Sequence, residues 1–138
     1  MHYATTGAWS PPAPAIPRIA RIQLVMAVLW LMVGLLIGIV MAASGDFTLR
    51  SVHTHVQLLG WVSLCLTGLV YAVLPDVAAT ASARWHVALH NLGLPVMCAS
   101  LAAYQLGSAA AEPFIALGSM LALAGLGFFT AAVLRAIR

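Results

Sequence analysis

Five histidines give this 138-residue chain most of its capacity to bind a metal or move a proton, and two of them stand two residues apart. The stretch RSVHTHVQLLGW, which begins at Arg50, places His53 and His55 where a strongly apolar run begins. Imidazole nitrogens are the commonest metal ligands in proteins. An ionisable side chain within an apolar membrane segment also predicts a functional site. His53 and His55 are therefore the first candidate metal ligands.

Helical geometry limits what this pair can bind. Each residue of an α-helix turns the chain by about 100°, so His53 and His55 point about 200° apart and cannot hold one metal in a regular helix. The face of His53 continues through small or polar positions, including Gly60, where a flat group or a second helix can approach. Gly60 serves equally well for helix packing alone. The face of His55 is wholly apolar, which suits a lipophilic macrocycle, a neighbouring helix or lipid.

A second pair, His86 and His90, is spaced four residues apart and shares a helix face. This spacing can bind a metal, but a zinc site needs further ligands, and neither a carboxylate nor a third histidine stands nearby. The alternatives are an interfacial role for His86 and a buried polar contact for His90, with Asn91 as its partner. We expect His90 to lie ~15 Å from His55 in depth, too far for both to bind one iron.

The composition places the chain among membrane proteins. Hydrophobic residues make up 63% and charged residues 7% of the chain, whereas soluble domains carry about 25% charged residues. The positive charges are arginines scattered along the chain, and the net charge of +3 does not favour nucleic acid as a partner. Cys65 and Cys98 both lie within apolar runs, so we expect buried free thiols rather than a disulfide.

Four apolar runs are long enough to cross a bilayer, which takes ~20 mostly apolar residues. They cover about residues 18–43, 51–74, 84–106 and 113–136. The first run is too long for the core of a signal peptide, which predicts a retained helix. Residues 1–17 hold most of the prolines, as is typical of a flexible tail. The sequence therefore predicts an all-α integral membrane four-helix bundle over residues 18–138.

The arginines also predict the orientation of this bundle. In a four-helix topology Arg50 lies alone on one side, and the remaining arginines lie on the other side: Arg18, Arg21, Arg84, Arg135 and Arg138. Cytoplasmic ends of membrane helices are enriched in Arg and Lys. We therefore expect both termini in the cytoplasm (N-in/C-in) and the bundle in a bacterial-type inner membrane.

Part of the chain resembles a known family. The segment VHTHVQLLGWVSLCLTGLVYAVLP, followed by ARWHVALHNLGLPVM, resembles two consecutive helices of the catalytic subunit of haem–copper oxidases and nitric-oxide reductases. The resemblance covers about residues 50–98. It implies that His53 matches the axial ligand of the family's high-spin haem and that His55 matches the ligand of its low-spin haem. Arg50 could pair with haem propionates, a role suggested by its charge and depth.

The departures from the family pattern are equally specific. The motifs that carry the family's three copper-binding histidines are missing, so we predict no copper. The first apolar run has no histidine that could be the second ligand of a low-spin haem. A complete oxygen- or nitric-oxide-reducing centre is therefore not expected in one chain, and a missing ligand would come from a second copy. His86 matches a family position that is not a haem ligand, and His90 has no carried-over role.

Three functional hypotheses follow. The first is a haem b-binding membrane protein, engaged in electron transfer or in O2 or NO chemistry as an oxidoreductase, with the haem at or near protomer contacts of a homo-oligomer. A respiratory electron donor would then be a partner. The second is a cofactor-free accessory or assembly subunit of a respiratory oxidase. The third is metal or proton transport by His53, His55, His86 and His90, which the scarcity of intramembrane carboxylates disfavours.

Overall fold

The computed structural model describes residues 15–138, and this part of the chain is helical without any strand. Four segments are long and apolar enough to cross a membrane. They are α1 (Arg18–Ser44), α2 (Arg50–Val73), α3 (Ala81–Gln105) and α4 (Glu112–Ala136). The prediction of an all-α chain with four membrane-length helices is confirmed. The predicted flexible tail lies mostly outside the described residues, which begin three residues before α1.

Helix ends follow local sequence signals. Gly45 ends α1 in the left-handed conformation, with φ 69°, which glycine adopts without a steric penalty. Pro75 follows α2 and starts a single helical turn, Pro75–Ala78. The hydroxyl of Thr80 accepts the backbone N–H of Ala83 at 3.1 Å and caps α3. Because of this cap, α3 begins three residues before the predicted start at residue 84.

Buried contacts show that successive helices run in opposite directions. One apolar cluster joins the start of α1, the end of α2, the Pro75–Ala78 turn, the start of α3 and the end of α4. Its members are Ala20, Tyr71, Val77, Ala78, Ala83 and Ala132. We call this end of the bundle the terminus end, since the helical region begins and finishes there. The opposite end holds the connections at residues 45–49 and 106–111.

Glycines bring the helices into contact in two pairs. A Cβ built on Gly93 of α3 would lie 2.6 Å from the backbone nitrogen of Ala122 in α4, and one on Gly125 would lie 2.8 Å from that of His90. In the other pair, Gly34 of α1 faces the side chain of Gln57 in α2. Small residues are the usual means of close helix packing in membranes.

The outer surface is apolar along most of its length. Large side chains of α1 and α4, such as Leu36, Ile39, Met120 and Leu123, are more than half exposed. In water such a surface would promote association, whereas in a bilayer it faces lipid tails. Together with the four long apolar helices, this surface is that of a multi-pass membrane protein.

The α2 helix contains a π-helical segment, Val56–Val62, between α-helical parts at Arg50–His55 and Ser63–Val73. The backbone N–H of Ser63 donates to the carbonyl of Leu58, five residues earlier, instead of to Leu59. Such segments are rare and occur frequently at functional sites. This one begins directly after His55, so it separates the first histidine pair from the rest of α2.

Candidate functional site: two histidine pairs

His53 lies between α1 and α2. Its Nδ1 is 2.9 Å from the carbonyl oxygen of Gly34, and its ring packs over Gly38, where a built Cβ would be 3.0 Å from Cε1. A carbonyl can only accept, so Nδ1 carries the hydrogen and Nε2 keeps the lone pair in the neutral ring. This is the usual second contact of a metal-binding histidine. The side chain is half-buried against α1, which limits access to Nε2.

His55 is held by its own helix. Its Nδ1 is 2.8 Å from the carbonyl oxygen of Ser51, so that Nε2 again keeps the lone pair. Within residues 15–138, Nε2 of His55 makes no hydrogen bond. The side chain is partly exposed, and beyond the π-helical segment α2 carries exposed apolar side chains at Leu66, Leu69 and Val73, which are 58%, 49% and 76% exposed. His55 therefore presents an available nitrogen on a helix whose far half has an open apolar surface.

The two rings are not brought together into one metal centre. His53 bonds across to α1, whereas His55 bonds back along α2. Within the described residues, no group of three or more His, Cys, Asp or Glu side chains could hold a metal ion. Each ring can thus serve as one axial ligand, and a second ligand for either one has to come from outside this set.

Arg50 and Gly60 have contacts of their own. The guanidinium of Arg50, at the first position of α2, lies 5.4 Å from the centre of the Phe47 ring, a cation–π contact. Gly60 is buried against Trp30 of α1, whose Cβ is 2.8 Å from the position of a built Cβ. The indole of Trp30 thus covers the Gly60 surface within one chain. Helix packing accounts for Gly60 without any bound group.

The second pair is fully buried. His86 and His90 are both 0% exposed, and their rings lie edge to face with centroids 5.5 Å apart. Nδ1 of His86 is 2.9 Å from the hydroxyl of Tyr71, and Nε2 of His90 is 3.1 Å from the carbonyl oxygen of Leu59. Both contacts are with α2, so this pair joins α3 to α2. The partner of His90 is the Leu59 carbonyl, and not Asn91 as expected.

The π-helical segment explains why the Leu59 carbonyl is available. In an α-helix this oxygen would accept the N–H of Ser63. Ser63 donates to Leu58 instead, so the Leu59 oxygen loses its α-helical donor and His90 replaces it. The irregular backbone of α2 and the buried histidine of α3 therefore form one structural unit.

His90 also lies closer to the level of His55 than expected. Leu59 is one turn beyond His55, which corresponds to ~6 Å along the helix axis. The expected distance of ~15 Å in depth assumed that α3 begins at residue 84. Because α3 begins three residues earlier, at Ala81, His90 lies ~4.5 Å deeper in the bundle, which accounts for about half of the difference. It still does not join His55, since its Nε2 is bonded to Leu59.

A buried polar group next to this pair has no counterpart in the sequence-based predictions. Gln23 of α1 is 0% exposed, accepts from the amide of Asn91 at 2.7 Å and donates to the hydroxyl of Thr67 at 3.2 Å. The side chains of Gln23, Thr67 and Asn91 therefore link α1, α2 and α3. A single amide within an apolar run is the sequence signal that could have identified Gln23.

The connection before α2 carries an ionised side chain. The Asp46 carboxylate accepts the hydroxyl of Thr48 at 2.7 Å and its backbone N–H at 2.9 Å. These bonds, with the hydroxyl first, hold the pKa of Asp46 below its ordinary value of 3.8. Asp46 lies four residues before Arg50, so charges of both signs flank the start of α2.

Comparison with known protein families, with curated proteins and with solved structures finds no match to this chain.

Proposed function

We propose that this chain is a multi-pass membrane protein that binds haem b through His55, with a second copy of the chain supplying the other axial ligand. The observation that carries the proposal is the bond between Nδ1 of His55 and the Ser51 carbonyl, which leaves the Nε2 lone pair of a partly exposed side chain free. Haem bound in this way supplies one-electron transfer, and the protein sets its potential through the axial ligands and their hydrogen bonds.

The chemistry of the neighbouring residues fits a haem. The macrocycle is flat and mostly apolar, and α2 exposes apolar side chains both near His55, at Leu58, and beyond the π-helical segment, at Leu66. Its propionates are anionic, and Arg50 provides a cation at the end of α2 where His55 lies. The Ser51 carbonyl fixes the tautomer and orientation of the His55 ring. In metal sites, a hydrogen bond from the ring nitrogen that does not bind the metal has the same effect.

The homo-oligomer supplies the ligand that one chain lacks. A six-coordinate haem needs two axial side chains, and α1 contains no histidine. A twofold axis beside α2 would place the His55 rings of two copies on either side of one iron, since the same surface patch then meets itself. We further propose the inner membrane of a bacterium as the location, with both termini cytoplasmic and a respiratory electron donor as partner.

His53 is the weaker candidate for a haem ligand. Its ring is enclosed by Gly34 and Gly38 of α1, so a macrocycle at Nε2 would require α1 to move. We therefore assign one haem, to His55, and none to His53.

Absorption spectra of the purified protein test the assignment. We expect one haem for every two chains and a spectrum of six-coordinate iron. His55→Ala should lower the haem content at least tenfold, whereas Thr54→Ala, an exposed neighbour on the same turn, should leave it unchanged. His53→Ala should lower it less than twofold. Full haem content in both histidine variants would contradict the proposal.

The cofactor-free accessory subunit is the second candidate. It is favoured by the contacts of His53 with Gly34 and of Gly60 with Trp30, which explain both positions by packing within one chain. Under this hypothesis the purified protein is colourless, also after incubation with haem. It should then co-purify from native membranes with a larger oxidase complex.

A further inference from the structure

Two buried ring nitrogens of α3 have no hydrogen-bond partner among residues 15–138, namely Nε2 of His86 and Nδ1 of His90. Both side chains are 0% exposed, and the rings are in edge-to-face contact. An unpaired polar atom is costly in the interior of a membrane protein, where bulk water cannot reach it. These two nitrogens belong to adjacent rings, so one shared ligand can serve both.

The partners already present fix the direction of each hydrogen bond. The Leu59 carbonyl only accepts, so Nε2 of His90 carries the hydrogen and Nδ1 of the neutral ring is an acceptor. The hydroxyl of Tyr71 has one hydrogen-bond partner within the described residues, Nδ1 of His86. We assign the hydroxyl as the donor, because its hydrogen would otherwise have no acceptor, and Nε2 of the neutral His86 ring then carries a hydrogen. Of the two unpaired nitrogens, one is a donor and the other is an acceptor.

We propose that one water molecule binds between these rings, accepting from Nε2–H of His86 and donating to Nδ1 of His90. Buried waters typically bridge polar groups of this kind. The water completes a continuous chain of hydrogen bonds from Tyr71 through His86 and His90 to the Leu59 carbonyl. In this chain the protons reside on the Tyr71 oxygen and on Nε2 of each histidine.

The surroundings favour a neutral ligand over a metal ion. The chain's carboxylates, Asp46, Asp76 and Glu112, lie in connections or at the first residue of a helix, away from the two rings. Apolar groups cover the pair from α4: the Phe129 ring lies 5.2 Å from that of His86, measured between centroids, and Gly125 abuts the backbone of His90. A cation in this position would have two neutral nitrogens and no counter-ion.

This water site does not depend on the proposed haem. Its hydrogen bonds join α3 to Tyr71 and Leu59 of α2, whereas the haem is assigned to Nε2 of His55, which none of these bonds involves. A colourless protein would therefore still be expected to hold the water. The four groups and the water form one hydrogen-bonded chain from Tyr71, near the terminus end, to the Leu59 carbonyl of the π-helical segment.

Solid-state NMR of the full chain in lipid bilayers, with ¹⁵N-labelled histidine, tests the site. Magnetisation from water protons should reach Nε2 of His86 and Nδ1 of His90, and both rings should be single tautomers with the hydrogen on Nε2. Tyr71→Phe should allow both tautomers of His86, because the donor to Nδ1 is lost. Tyr104→Phe is the control, since Tyr104 is exposed near the other end of α3.

Three results would overturn the proposal. A nitrogen–nitrogen scalar coupling between the rings, without transfer from water, would show a direct bond between His86 and His90. Absence of water transfer to both nitrogens in the wild-type protein would show a dry pair. A shift of both ring signals on treatment with a chelator would show that a metal ion occupies the position.

Discussion

His53 and His55 at the start of α2, and His86 and His90 within α3, are the same residue type in different surroundings. The first pair is partly exposed, and each Nδ1 bonds to a backbone carbonyl, which leaves an unused Nε2 lone pair that is accessible at His55 and enclosed by α1 at His53. The second pair is fully buried and bonds to α2 through both rings. The difference teaches that burial and the identity of the bonded atom, rather than spacing alone, separate ligand candidates from groups that join helices.

The variant with the largest expected effect on stability disrupts the close packing of α4 against α3 at the buried histidine pair. Gly125→Val would place a Cβ 2.8 Å from the backbone nitrogen of His90, so that α3 and α4 must separate. We expect a loss of about 3 kcal/mol of unfolding free energy, as for overpacked cores. Gly127→Val is the matched control, since a Cβ there meets nothing within 4 Å. Reversible unfolding in mixed micelles measures both; equal effects would contradict the proposed close contact.

We expect a smaller loss of unfolding free energy when one histidine of each pair is replaced. His90→Leu leaves the Leu59 carbonyl without the donor that replaces its α-helical one, at a cost of about 2 kcal/mol. His53→Leu removes a bond to Gly34, but that carbonyl lies within the regular helix α1 and keeps its α-helical donor. We therefore expect less than half the loss for His53→Leu in the same unfolding assay. A larger loss for His53→Leu than for His90→Leu would contradict the proposed difference between the two pairs.

Removing the hydroxyl that bonds to the buried pair should cost less stability than replacing a histidine. Tyr71→Phe deletes the hydrogen bond to His86 while keeping the aromatic contacts, including the edge-on Phe129 ring. The expected loss is about 1 kcal/mol, the usual net worth of one buried hydrogen bond. Tyr104→Phe should change the thermal midpoint little, because Tyr104 is 46% exposed. If Tyr71→Phe left the stability unchanged, the hydrogen bond would add nothing to it.

The smallest expected effect is a change in the pKa of Asp46, which lies in the connection before the first histidine pair. Thr48→Val removes the hydroxyl that contributes most to lowering the pKa of Asp46 from 3.8, so that pKa should rise. Because the pKa is lowered in the folded protein, the stabilisation is present above pH 3.8 and is lost as the pH falls through the folded value. A ¹³C NMR titration of the carboxyl measures the pKa. A further decrease in the variant would contradict the assigned cause.

Much of the architecture could be predicted because long apolar runs leave few alternatives to membrane helices. The divergence of His53 and His55 also follows from the helix repeat, since both lie in the α-helical start of α2. The π-helical segment could not be predicted, because no residue in VQLLGWV marks it. Its wide turn directs Val52 and Val56 fully inward and leaves His53 and Gln57 half-buried. The partners of His86 and His90 depend on this tertiary arrangement.

The buried amide of Gln23 escaped prediction for a related reason. It lies two residues after Arg21, in a position that sequence alone assigns to the membrane boundary. The structure shows that the first turns of α1 already face Thr67 and Asn91, so this amide is part of the interior. The lone amide marks Gln23 as unusual within an apolar run, but whether it is buried is decided by the neighbouring helices.

The π-helical segment also fixes the angular phase between the two halves of α2. Residues before it and after it belong to regular α-helix, but the wider turn between them offsets one half from the other about the common axis. A π-helical turn holds about one residue more than an α-helical turn, so deleting one residue from Val56–Val62 would let the segment close as α-helix with Arg50–His55 and Tyr71 in the same relative direction. The same seven residues in α-helical form would instead turn Arg50–His55 by about 100° relative to Tyr71. The direction in which His55 points therefore depends on the hydrogen-bond pattern of this segment together with its length.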